Sequence, residues 1–214
     1  MKDVEKLVQS MDKSKNRVEE IVAIGTSTGG PKTLEVVIRH LPPHYPYPIL
    51  VVQHMPSGFT KAMADRLNAI SSLTVSEAVQ GEELEPGHVY IAPGNHHMQV
   101  KRSQAYHYFL QIDGTTPPRG GHRPSVDVLF ESLAPLHEVK KTIILLTGMG
   151  SDGTAGLRKI KEVSNPKEVT AIGESEESCV VFGMPRSAIE EGLIDLILTK
   201  EKIAEYLRAK VSGR

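Results

Sequence analysis

Short apolar runs recur along the chain, each followed by a loop and then by a helical stripe. The run IVAI at 21–24 leads into GTSTGG; after Pro31, which suits a first helical turn, Leu34, Val37, Ile38 and Leu41 fall on one face. PPHYPYP closes that helix, and the run ILVV at 49–52 leads through QHMPSGF into the helical TKAMADRLNAI. The same alternation returns with TIILL (142–146), the loop TGMGSDGTAG and the helix LRKIKEV, then with VTAI, the loop ESEESCVVFGMP and RSAIEE, which Gly192 can end. LIDLIL and EKIAEYLRAK form a last strand and helix. A strand apolar on both faces must be covered on both faces, which βαβ units with parallel strands achieve. The predicted fold is therefore α/β, a doubly wound, mostly parallel sheet flanked by helices.

The middle of the chain has a different texture. TVSEAV, HVYIAP, HMQVKR and HYFLQI are short strand-like pieces separated by EPG and PGN, and they predict an antiparallel β excursion around residues 73–112. Ser125 then caps a predicted helix whose Val126, Leu129, Phe130 and Leu133 make one stripe. At the other end, residues 1–20 are charge-rich, with Val4, Leu7, Val8 and Met11 at helical spacing. They read as a linker or docking helix ahead of one globular domain spanning 21–214.

Composition narrows the function classes. Lys and Arg total 25 against 26 Asp and Glu, so no basic field argues for nucleic acid. No apolar run approaches the ~18 residues of a membrane span, so no membrane insertion is expected. The start of the chain lacks the apolar core of a signal peptide, and the single cysteine, Cys179, leaves no internal disulfide; both fit the cytoplasm. Cys179 reads as a structural thiol. His96 and His97 lie in a turn before a strand, where adjacent residues point to opposite faces, and H-E-x-x-H is absent, so no metal and no cofactor is expected.

Ligands of such sheets bind outside the carboxyl ends of parallel strands. Three loops there carry reactive residues: GTSTGG, QHMPSG and TGMGSDG. GTSTGG could cradle a phosphate, present a serine or simply turn a corner. A dinucleotide fingerprint needs glycine where Ser27 stands, and no G-K-[ST] follows. Gly25 to Gly29 does match G-x-S-x-G, in which small neighbours expose a serine hydroxyl, although Ser27 could equally be a helix cap. A serine needs an imidazole to take its proton and a carboxylate to orient that imidazole. His54 follows ILVVQ and is the one histidine of nine at a predicted parallel-strand end; alone it could be a surface or capping residue. Asp152 lies between Gly150 and Gly153 after TIILL, where it could cap the helix starting near Thr154. Gly29 and Gly30 read as clearance for a substrate side chain and a tight turn into the helix.

In order along the chain, VAIGTSTGGP, VVQHMP, YIAPGNHHM, HRPSVDVLF, LLTGMGSDGTAG and SCVVFGMP resemble the catalytic domain of chemotaxis-type protein-glutamate methylesterases (CheB-like). The resemblance runs from about Ile21 to the C-terminal helix and implies a Ser-His-Asp triad on a modified doubly wound domain. It implies Ser27 as nucleophile, His54 as base and Asp152 as orienting carboxylate, with the backbone N–H groups of Thr28 and Met149 binding the oxyanion. It also implies hydrolysis of glutamate γ-methyl esters on the cytoplasmic domains of methylated chemoreceptors, with methanol released, and deamidation of glutamines by the same acyl chemistry. A receiver domain or histidine kinase acting in trans is an implied further partner. The alternatives are a non-catalytic docking module of this fold, or a hydrolase of another ester or amide. AIGESEESC departs from the family's more usual pattern, and Glu174, Glu176 and Glu177 are expected to bring negative charge to the active edge.

Overall fold

The structure, a computed structural model, describes residues 18–103 and 107–212. The short helix expected within residues 1–20 falls mostly outside the described residues. The strands are β1 (Glu20–Thr26), β2 (Ile49–Gln53), β3 (Thr74–Glu77), β4 (His88–Ile91), β5 (His97–Arg102), β6 (Tyr108–Asp113), β7 (Lys140–Leu145), β8 (Val169–Glu174) and β9 (Leu196–Leu198). The α-helices are α1 (Gly30–Arg39), α2 (Phe59–Ile70), α3 (Val126–Leu133), α4 (Thr154–Val163), α5 (Met184–Glu190) and α6 (Lys200–Ser212). Seven strands form one sheet in the order β3-β4-β2-β1-β7-β8-β9, with every neighbouring pair parallel.

Both faces of this sheet are covered, as the apolar runs require. Val22 and Ile24 of β1 point into a core with Leu34, Val37 and Ile38 of α1, Leu67 of α2 and Leu207 of α6. Ile21 and Ala23 point the other way, onto Leu129 and Phe130 of α3, Leu157 and Ile160 of α4 and Ala188 of α5. Each strand residue alternates between two dry layers, so β1 is buried along its whole length.

The antiparallel region is smaller than the sequence pattern suggests. Among the strands of the described residues only β5 and β6 pair antiparallel, as a separate two-stranded sheet to which Glu83 adds one antiparallel bridge at Phe109, whereas β3 and β4 extend the main sheet in parallel. Period-two patterning carries no strand direction, and EPG looks like a hairpin turn. Here residues 78–87 make the crossover without a helix. Gly81 and Leu84 donate backbone N–H groups to Leu110 and Tyr108, and Leu110 donates to Glu82, so the crossover lies along β6. Those bonds supply the partners that a helix would otherwise have supplied within itself.

The strand order also decides where a ligand can bind. The connection after β1 passes to α1 on one face, and the connection after β7 passes to α4 on the other. The adjacent carboxyl ends of β1 and β7 therefore form a switch point, where diverging loops open a crevice.

Candidate active site

Ser27 leaves β1 half-exposed at that switch point. Its N–H donates to Thr147 O at 3.0 Å, and Thr26 Oγ1 donates to the same oxygen at 2.9 Å, which ties the loop after β1 to the end of β7. The β7 loop runs against the serine so closely that a side chain at Gly148 would come within 2.9 Å of Ser27 Cβ. Gly29 holds a left-handed φ of 89°, and a Cβ there would stand 2.7 Å from Val180. A Cβ at Gly30 would overlap Gln53 and Thr26. The clearance left by these two glycines is thus filled by the protein's own side chains, not kept open for a substrate.

Gln53, which the sequence reading passed over, joins two of the loops. It is buried at the end of β2, and its Nε2 donates to Ser27 O at 2.9 Å and to His54 O at 3.0 Å. His54 N–H donates to Thr26 O at 3.1 Å, so serine and histidine backbones are fixed to one another. Glutamine at the last position of a strand gave no local signal for this role, because the Ser27 carbonyl is 26 positions away and only the sheet brings it beside that of His54.

His54 Nε2 lies 2.7 Å from Asp152 Oδ2, and the two side chains are 9% and 7% exposed. His54 Nδ1 is buried and has no hydrogen-bond partner among the described residues. With Nε2–H donating to the carboxylate, Nδ1 carries the lone pair, which is what a base beside a serine requires. No hydrogen bond joins Ser27 Oγ to His54 among the described residues; such contacts commonly close only when substrate is bound.

Asp152 does not cap its own helix. The N-cap of α4 is Gly153, at φ 102° and without a side-chain bond. The Asp152 carboxylate instead accepts from Val126 N–H at 2.7 Å, Asp127 N–H at 2.9 Å and Ser125 Oγ at 2.9 Å, at the start of α3. Asp127 returns the exchange, accepting from Gly153 and Gly156 N–H at 2.9 and 2.7 Å, at the start of α4. Each helix is capped by the other's acid, with both charges at positive dipole ends. Burial raises the Asp152 carboxyl, but the bonds from His54, Asp127 and Val126 outweigh it, and its pKa lies below the ordinary value. For Asp127 burial prevails over the Gly156 N–H, and its pKa is raised. Asp152 is accordingly the ionised partner of His54.

The backbone N–H groups of Thr28 and Met149 donate to no other group among the described residues, and both residues are exposed at the mouth of the site. The residues expected on one edge are therefore together. The acidic stretch behaves differently from expectation. Glu174 is fully buried, and its carboxylate accepts from Thr147 N–H and Ser178 Oγ, both at 2.7 Å. Its charge secures the β7 loop and does not face a substrate; only Glu176 and Glu177 are exposed. Replacing Glu174 with alanine leaves the buried Thr147 N–H unpaired, and a denaturant titration should show a loss of about 1–3 kcal/mol. E174Q, whose amide oxygen can still accept that bond, should lose less. Cys179 is half-buried, and burial followed by the nearby Glu174 pushes its thiol up to about 12, which makes it inert.

Known proteins similar to this chain identify its family and fold. The family model described as CheB methylesterase matches residues 22–207. A protein-glutamate methylesterase/protein-glutamine glutaminase of Geobacillus kaustophilus is 53% identical over 186 residues, covering 87% of this chain and 52% of the relative. The protein of the same name from Bacillus subtilis is 50% identical over 193 residues, covering 90% and 52%. The crystal structure of the Thermotoga maritima CheB methylesterase catalytic domain superposes with a TM-score of 0.84 at 46% identity, covering 89% of this chain and 98% of that one. The chain thus spans about half the length of the curated relatives it matches.

Proposed function

The chain belongs to the CheB methylesterase family, and from that premise we propose that it hydrolyses glutamate γ-methyl esters of chemoreceptors and deamidates receptor glutamines. Residues 21–214 are the catalytic unit in this reading, working in the cytoplasm on the receptors' cytoplasmic domains, with a receiver domain or histidine kinase as a partner in trans. Among the described residues no helix is long and apolar enough to cross a membrane. The observation that carries the proposal is the buried His54–Asp152 contact of 2.7 Å, which leaves Nδ1 unpartnered on a histidine whose backbone is bonded to Thr26, the neighbour of Ser27.

The chemistry follows from those atoms. Ser27 Oγ attacks the ester carbonyl carbon while Nδ1 of His54 takes the hydroxyl proton, and Asp152 stabilises the imidazolium through Nε2–H. The N–H groups of Thr28 and Met149 receive the negative charge that develops on the carbonyl oxygen. Collapse of the adduct expels methoxide, which leaves as methanol with the proton from His54. Water, deprotonated by the same imidazole, then releases the glutamate and regenerates Ser27. For a glutamine side chain the leaving group is ammonia, and the other steps are unchanged.

Methanol release from a methylated chemoreceptor cytoplasmic domain tests the proposal. Release at a rate well above the receptor alone is the expected result. A protein whose Ser27 reacts with a fluorophosphonate but which releases no methanol would keep the serine chemistry and overturn the substrate.

A further inference from the structure

His122 lies outside the proposed triad, yet its ring stacks on that of His54, with centroids 3.8 Å apart and planes 7° from parallel. We infer that His122 is a positioning residue, whose ring covers one face of His54 and holds Nδ1 in line with Ser27. This rests on the serine-hydrolase reading above. The physical need is clear from the contacts of His54. Its ring is held by one hydrogen bond, Nε2 to Asp152, and a ring held at a single atom can still tilt about that bond. A flat face packed against it removes that freedom.

The loop bearing His122 is anchored on both sides of it. Arg119 and His122 exchange backbone bonds at 3.0 and 2.9 Å, and the Arg119 guanidinium makes two bonds of 2.6 Å to Glu131 of α3. The Arg123 guanidinium donates to Asn95 Oδ1, Gly114 O and Thr116 O, and Asn95 N–H donates to Arg123 O. A stack placed by this many bonds is a fixed wall, not a passing contact. Chemistry also favours an aromatic there. His54 becomes cationic when it takes the serine proton, and the π face of a neutral ring attracts a cation, whereas a second cation would repel it. Burial first, and then the adjacent His54, keep His122 toward its neutral form, while Asp152 opposes this.

Labelling of Ser27 by a fluorophosphonate tests the inference without any receptor, because it reads the reactivity of the serine itself. Measured on H122A and H122F beside the native protein, H122A should label roughly 10- to 100-fold more slowly, the range expected for loss of catalytic alignment. H122F, which keeps a flat aromatic face and cannot carry a proton, should stay within a few-fold of native. In methanol release H122A should lower kcat with KM within about 2-fold of native. Thermal melts of the variants separate alignment from folding. A native labelling rate in a folded H122A overturns the inference, and so does an H122F that folds yet is as slow as H122A, since that would assign the ring a proton or a hydrogen bond to carry. If the native protein is not labelled at Ser27, the hydrolase reading fails, and the inference fails with it.

Discussion

Ser27→Ala should reduce methanol release from methylated receptor to near background, a loss on the order of 10³- to 10⁶-fold in kcat. The size follows from what the hydroxyl does. Without Oγ there is no covalent intermediate, and His54 and Asp152 have no proton to move. What remains is whatever a preformed oxyanion site offers to direct attack by water. Stability should hardly change. Ser27 is half-exposed, among the described residues only its backbone N–H and carbonyl form hydrogen bonds, and alanine keeps the Cβ against which the β7 loop runs. A folded S27A that retained most of its activity would move the nucleophile elsewhere. A folded S27A that is inactive and no longer takes a fluorophosphonate would support the assignment.

Asp152→Asn should combine a large kinetic loss with a measurable loss of stability, because one carboxylate performs two tasks. It accepts four bonds, from His54 Nε2, Val126 N–H, Asp127 N–H and Ser125 Oγ. An amide offers one acceptor oxygen and an NH₂ group that must face donors. If the NH₂ turns to His54, Nε2 has to accept, the proton moves to Nδ1, and Nδ1 can no longer take the proton of Ser27. Activity should then fall on the order of 10⁴-fold, as when a wrong tautomer is imposed on other triads. In either orientation the NH₂ also meets an N–H of α3, that of Val126 on the His54 side or that of Asp127 on the other, so a buried N–H is unpaired at a cost of about 1–3 kcal/mol. Activity assays and denaturant titrations on one preparation measure both effects.

The difference in stability between native and D152N should also depend on pH. Since folding lowers the Asp152 pKa, its contribution is present above the unfolded carboxylate value of about 3.9 and is lost as pH falls through the folded value. The gap should therefore be constant near neutrality and close in acid. Asp127 has the opposite sign. Its raised pKa makes its ionised form a cost above the unfolded value, and acid relieves that cost. A gap that widened in acid would contradict the assignment of the low pKa to Asp152.

Much of the scaffold was legible in the chain because it depends on local periodicity. IVAI, ILVV and TIILL are apolar on both faces, and such strands occur where both sides are covered. The stripes beginning at Leu34 and Val126 gave the helix faces that cover them. The pairing of β3 and β4 was not legible. TVSEAV and HVYIAP alternate as antiparallel edge strands do, and the crossover between them shows only in their parallel register and in the bonds from Gly81 and Leu84 that lay it along β6. Strand direction is a long-range property, and no short window contains it.

The site divides in the same way. Ser27, His54 and Asp152 are reactive types at strand ends, and position along βα units was enough to make them candidates, each with a capping or surface reading beside it. The groups that hold them were invisible, because each works through a partner distant in sequence. Ser125 read as a simple helix cap, yet its hydroxyl donates to Asp152. Glu174 read as surface charge and is buried as an acceptor for Thr147. Gln53 and His122 lie within VVQHMP and HRPSVDVLF, but neither motif indicates what the two side chains touch. By itself, then, the chain determined which side chains could do chemistry and which edge of the sheet would carry them, since hydrophobic periodicity sets strands, helices and the loops between. Only the tertiary structure decided which nitrogen of His54 is free, which helix Asp152 caps and which ring covers the base. Those choices depend on hydrogen bonds and ring contacts between residues 25 to 98 positions apart, which exist only after the sheet has formed.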